Sequence, residues 1–270
     1  MSNFFAALSH PMQALLACLF TWALTALGAG MVFFFKALHK NIMDAMLGFA
    51  AGVMVAASFW SLLSPAIDLA EELFAHSWFV VAWGFLCGGL LLFLGDKLFN
   101  SYADRSRRVQ ELENKNSLKR CWMLVFSITL HNIPEGLAIG VAFASLAYGL
   151  EGATLPAACL LALGIGIQNL PEGTAVSVPL RREGYSRKKS FLFGQLSGMV
   201  EPIAGLMGAL LALKARVLLP FLLSFAAGAM IYVVVQELIP ESQSNERKEI
   251  MALFTLVGFS VMMILDVALG

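Results

Sequence analysis

Apolar runs of roughly twenty residues recur along this chain, the length a helix needs to cross the hydrocarbon core of a bilayer. They predict an all-α integral membrane protein with eight transmembrane helices. The spans fall at about 12–35, 43–64, 78–98, 121–148, 156–180, 190–213, 217–239 and 250–269. One transmembrane domain then covers residues 1–270. Composition agrees: 59% of residues are hydrophobic and 13% charged, where a soluble domain carries about 25% charged residues. Net charge is zero, so nothing argues for a nucleic-acid partner; the lipid bilayer is the implied surrounding. The four cysteines (Cys18, Cys87, Cys121, Cys159) lie in apolar runs without C-x-x-C spacing and read as packing residues. No Lys or Arg and no cleavable pattern precede the first run, which reads as a retained span.

Connections are short except for 100–120, which is polar, charged and expected to be a mobile cytoplasmic loop. Every Lys and Arg except Lys214 and Arg216 falls at the first, third, fifth or seventh connection. Basic residues favour the cytoplasmic side, so both termini are expected outside the cytoplasm, in a bacterial inner (cell) membrane.

Two spans carry a duplicated polar motif. S-I-T-L-H-N-I-P-E-G occupies 127–136 and G-I-G-I-Q-N-L-P-E-G occupies 164–173. Residues four apart share a helix face, which places His131 over Glu135 and Gln168 over Glu172. Asn132 and Asn169 project slightly round the helix. Pro134 and Pro171 lack an N–H, so the carbonyls of Leu130 and Ile167 lose their helical partners.

The motif spans run in opposite directions. Further echoes are F-A-A-G-V-M at 49–54 against F-A-A-G-A-M at 225–230, and Gly88 to Asp96 against Gly258 to Asp266. Three spans, a central inverted pair and three inverted spans result: a 3+2+3 arrangement with inverted pseudo-symmetry, a pattern of secondary transporters.

Glu135, Glu172 and Glu201 lie deep in spans that hold no deep Lys or Arg. A lone charge at the bilayer centre costs at least ~2.5 kcal/mol on insertion scales. A bound metal or a proton is the natural partner. One imidazole nitrogen with amide and carboxylate oxygens suits Zn²⁺, with Cd²⁺, Fe²⁺ or Mn²⁺ as further substrates. Glu201 precedes Pro202, another broken-helix acid.

These residues resemble the ZIP (Zrt/Irt-like protein) family of divalent-metal transporters along nearly the whole chain. H-N-I-P-E-G is the family's strongest signature. I-G-I-Q-N-L-P-E-G, G-Q-L-S-G-M-V-E-P and F-A-A-G-A-M-I-Y-V-V-V-Q-E-L-I-P-E look like its GufA-type branch. The resemblance implies zinc uptake into the cytoplasm by alternating access around a midplane two-metal site. One subsite is Met54, His131, Glu135, Gln168 and Glu172. The other is Asn132, Glu135, Asn169, Glu172 and Glu201. It further implies an outer route past Ser61, Asp68 and Asp266, and an inner exit at Gln236 and Glu237. Rigid-body movement of spans 1, 4, 5 and 6 against 2, 3, 7 and 8, and a homodimer, also follow from it. Zinc enters as transported substrate, and no cofactor is expected. Two departures stand out: Asn169 replaces an Asp found in some relatives, and 100–120 lacks histidine.

An enzyme is the main alternative. H-E-x-x-H is absent, and no Ser/Lys or Asp/Asp pairing lies in the spans. A continuous channel is the other alternative, and a multi-ligand site slows exit from a pore.

Overall fold

The computed structural model describes residues 5–35, 39–107, 116–149 and 153–269, with the side chains of 99–107, 116–124, 127, 131, 182 and 269 outside the description. Among the described residues the chain is almost entirely helical and contains no strand. The helices are α1 (His10–Phe33), α2 (Lys40–Leu73), α3 (Ser77–Arg107), α4 (Asn116–Ser145), α5 (Leu155–Arg182), α6 (Arg187–Lys214), α7 (Arg216–Ser242) and α8 (Lys248–Leu269).

Six of them, α1, α2, α3, α6, α7 and α8, are long and apolar enough to cross a membrane. The remaining two, α4 and α5, are the helices that carry the P-E-G motifs. The connection expected at 100–120 is shorter than anticipated, because α3 continues to Arg107 and α4 begins at Asn116. Residues 108–115 lie outside the described part.

Helix ends follow local chemistry. Pro11 and Pro156 open α1 and α5, where their missing N–H has no intrahelical role. Thr154 and Ser186 cap α5 and α6, accepting from the backbone N–H of Ala157 and Lys189. Gly184 ends the α5 turn at φ 92°, a conformation that side chains disfavour.

Prolines inside helices act in three ways. Pro134 and Pro171 are absorbed, and α4 and α5 run through them. Near Pro202, α6 breaks at Met199 into Arg187–Gly198 and Val200–Lys214. Near Pro65 and Pro240, α2 and α7 widen into π turns at Ser58–Leu63 and Val234–Leu238. There the N–H of Ser64 bonds the Phe59 carbonyl and that of Ile239 bonds Val234, each five residues back. Both wide turns follow an F-A-A-G segment, so the sequence echo extends to backbone geometry.

Two groups of helices pack closely. Within the first, α1 lies on α5 and α4 on α6; within the second, α3 lies on α7 and α2 on α8. Glycine permits backbone contact in each. A Cβ at Gly173 would overlap the Thr25 carbonyl, and one at Gly140 the Gly205 carbonyl. In the second group, Gly52 meets Thr255 and Gly258 meets Phe49 across α2–α8. Gly228 meets Phe85 and Gly88 meets Phe225 across α3–α7. Between groups, α2 contacts α5 and α4 contacts α7. No described glycine brings backbone against backbone there; Gly164 faces the flexible Met262 side chain.

Candidate metal site

The motif residues of α4 and α5 meet α6 and α1 in the interior. Asn132, Glu135, Gln168, Asn169, Glu172 and Glu201 are all buried. Gln168 Nε2 donates to Glu135 Oε1, joining α5 to α4. Asn169 Nδ2 donates to Glu201 Oε1 at 2.8 Å, joining α5 to α6. Asn132 Nδ2 donates to the Ser197 carbonyl at 2.9 Å, joining α4 to α6. Glu201 sits in the first turn of the second α6 segment, where the helix dipole favours a carboxylate. Glu135, Glu172 and Glu201 lie within electrostatic range of one another. The His131 side chain lies outside the described residues.

Four buried oxygens in this set, Asn132 Oδ1, Glu135 Oε2, Gln168 Oε1 and Asn169 Oδ1, accept no hydrogen bond from a described residue. Buried acceptors are normally satisfied. Oxygens of this kind suit a hard or borderline cation. Among the described residues no three His, Cys, Asp or Glu side chains converge closely enough to hold a metal. Amides separate the carboxylates: Gln168 stands at Glu135 and Asn169 at Glu201. Met54 is fully buried on α2.

Sequence reasoning missed Thr21. Its hydroxyl donates to Glu201 Oε2 from α1, so both Glu201 oxygens are held by the protein. A Thr21/Thr25 pair four residues apart in an apolar span was the available signal.

Ser61, Asp68 and Asp266 line one cavity of about 740 Å³, together with Glu71, Glu72 and Thr154. Ser61 Oγ donates to Asp266 Oδ1 at 2.7 Å. Ala142 and Leu161 also line it. They stand seven residues along α4 and α5 from Glu135 and Gln168, about 10 Å at 1.5 Å per residue. Buried Ala138, Ile139 and Ile165 occupy the intervening turns. None of the buried cluster residues lines the cavity.

Gln236 and Glu237 lie in the π turn of α7, away from both; Gln236 is exposed and Glu237 half-buried. Tyr232, one turn before Gln236, donates to Asp96 Oδ2 at 3.2 Å. Asp96 occupies the α3 position that echoes Asp266 on α8, and its role was not read from the sequence.

The family model described as ZIP Zinc transporter matches residues 110–266, from before α4 to Asp266 in α8. The chain belongs to the ZIP family. Human "Zinc transporter ZIP11" is 38% identical, with 97% of this chain and 98% of that protein covered. "Zinc transporter ZIPB" of Bordetella bronchiseptica is also 38% identical, with 92% and 79% covered. "Zinc transporter GufA" of Myxococcus xanthus is 34% identical, with 95% and 98% covered. ZIP proteins are transporters, so the hydrolase alternative falls with the assignment. These relatives come from animals as well as bacteria.

Proposed function

We propose that this ZIP protein moves zinc across a membrane into the cytoplasm by alternating access around the cluster on α4, α5 and α6. The observation that carries the reading is the set of four buried, donor-free oxygens that the two copies of the motif contribute, the Asn132 and Asn169 pair at matched positions. The subsites are those named from the sequence: Met54, His131, Glu135, Gln168 and Glu172, and Asn132, Glu135, Asn169, Glu172 and Glu201. Cd²⁺, Fe²⁺ and Mn²⁺ are further candidate substrates.

In this reading α4 and α5 also cross the membrane, shielded by the six more apolar helices, in the 3+2+3 inverted arrangement. Matched packing supports it: α1–α5 with α6–α4, α2–α8 with α7–α3, and α2–α5 with α7–α4. So do the matched π turns. Hydrated zinc enters the cavity past Asp68 and Asp266 and reaches the cluster when the intervening apolar turns separate. It leaves toward Gln236 and Glu237. A continuous pore fits the two apolar turns poorly.

The moving bodies are α1, α4, α5 and α6 against α2, α3, α7 and α8. Glycine-closed backbone seams run inside each body and stop at the boundary, which favours sliding there over deformation within. Both termini lie outside, and two chains associate as a dimer. The test is uptake by purified protein in liposomes. Saturable zinc accumulation supports the reading; linear, non-saturating flux refutes alternating access.

A further inference from the structure

A second cavity, about 510 Å³ in volume, opens where α5 meets α2 and α8. Its walls include Met46, Phe49, Ile167, Leu170 and Phe254, and Arg247 stands at its mouth. Phe254 is 41% exposed, so the groove opens onto the outer face of the helix bundle, where a membrane protein meets lipid tails. Its volume lies in the range of pockets that enclose small ligands.

Arg247 is exposed, and among the described residues no carboxylate pairs with it. Its backbone is held in place. Asn245 Oδ1 accepts from the Arg247 N–H at 2.9 Å, while Asn245 Nδ2 donates to Asp44 at 2.7 Å and to Asn41 at 2.9 Å. Asp44 is buried and paired with Lys40 at 2.7 Å. The structure thus holds a free guanidinium at the polar end of an apolar groove.

We propose that the groove binds an anionic phospholipid, with one acyl chain along Met46, Phe49 and Leu170 and the phosphate on Arg247. The inference rests on the membrane orientation proposed above, which puts Arg247 at the cytoplasmic surface. Arginine suits the phosphate because its planar fork offers paired donors. The chain would lie on the boundary between the two proposed bodies, against the back of the α5 motif helix. Occupancy therefore depends on their relative position, and a bound lipid biases that position in turn.

The test uses phosphatidylglycerol with a photoactivatable acyl chain, in phosphatidylcholine proteoliposomes whose zinc uptake is measured in parallel. Adducts are expected at the groove residues, competed by unlabelled phosphatidylglycerol and not by glycerol phosphate in the water. Arg247→Gln should lower groove labelling about five-fold, the scale of one basic contact to an anionic membrane surface, and Arg247→Lys should retain most of it. Met46→Trp should block the groove while labelling of exposed Leu86 and Leu90 on α3 persists. Labelling spread equally over α3 and the groove, or insensitivity to both Arg247→Gln and Met46→Trp, overturns the proposal. So does competition by glycerol phosphate, which would mark a free-anion site. Uptake without groove labelling removes the lipid site and leaves the transport reading. Labelling without uptake does the reverse.

Discussion

At the proposed metal site, Asn169 is expected to set how many metals bind, and its replacement by Asp gives a sharp measurement. The site carries Glu135, Glu172 and Glu201, formally −3 when all are ionised. One Zn²⁺ leaves −1, which a proton neutralises; two leave +1, with no fourth carboxylate in the named ligand set to balance it. The geometry points the same way. Glu201 already accepts from Thr21 and, at 2.8 Å, from Asn169. A second zinc on Glu201 would share each oxygen with one of these hydrogen bonds and compete with it for the carboxylate's charge. Asn169→Asp exchanges the donor for a second carboxylate and brings the formal charge to −4. Two carboxylates about 4 Å apart repel by about 4 kcal/mol at an effective dielectric near 20. A dication between them relieves that repulsion, and each 1.4 kcal/mol is a factor of ten. The second zinc should therefore bind up to about a thousand-fold more tightly in the mutant than in the parent.

The assay is zinc titration at neutral pH with elemental analysis of purified protein. One tight zinc per chain is expected for the parent and two for Asn169→Asp. Asn169→Ala removes the donor without adding charge and should stay at one. Two equally tight metals in the parent, or no gain in Asn169→Asp, would refute the charge argument. A gain in Asn169→Ala would show that steric relief, not charge, controls the second subsite.

Three further outcomes are expected. His131→Ala and Glu172→Ala should each abolish saturable zinc uptake while the protein still reaches the membrane, and near-normal uptake by either would mean the site lies elsewhere. In a cysteine-free background, single cysteines at positions 106 and 186 should resist an impermeant thiol reagent added outside, while one at Ser77 should react; the opposite pattern reverses the orientation. Gly52→Ala should lower unfolding stability by about 2 kcal/mol through overpacking, because its Cβ would overlap the Thr255 carbonyl, whereas Gly30→Ala, with nothing within 4 Å, should not. Equal thermal midpoints for these two variants would mean the α2–α8 seam is looser than its geometry.

Helix positions were legible because hydrocarbon demands long apolar segments, and six of the long helices are apolar enough to cross a membrane; α4 and α5, diluted by their polar motifs, are not among those six. Their extents were less so. Charged residues continue α3 to Arg107, past its apolar part, since backbone hydrogen bonding can outlast the hydrophobic run. At the candidate site, the spacing of four set Gln168 over Glu172 on one helix face, and both are buried in the structure together with Glu135 and Asn169. Thr21 stayed hidden. A threonine in an apolar helix usually bonds its own backbone, as Thr21 also does to the Cys18 carbonyl at 3.0 Å. Only the packing of α1 against α6 reveals that its hydroxyl also serves Glu201.

The repeated segments show what duplication can and cannot copy. F-A-A-G followed by a proline yields a wide turn in both α2 and α7, because the steric conflict at proline is the same in each. Each turn lies near an aspartate on a packed neighbour: Asp266 of α8 accepts from Ser61 within the α2 turn, and Asp96 of α3 accepts from Tyr232 just before the α7 turn. The hydroxyls do not occupy equivalent positions. Backbone geometry therefore survived duplication where side-chain chemistry diverged. In the alternating-access mechanism proposed above, matched backbones would keep the two bodies' alternative packings close in energy, while unlike side chains would let one mouth take up an ion that the other releases.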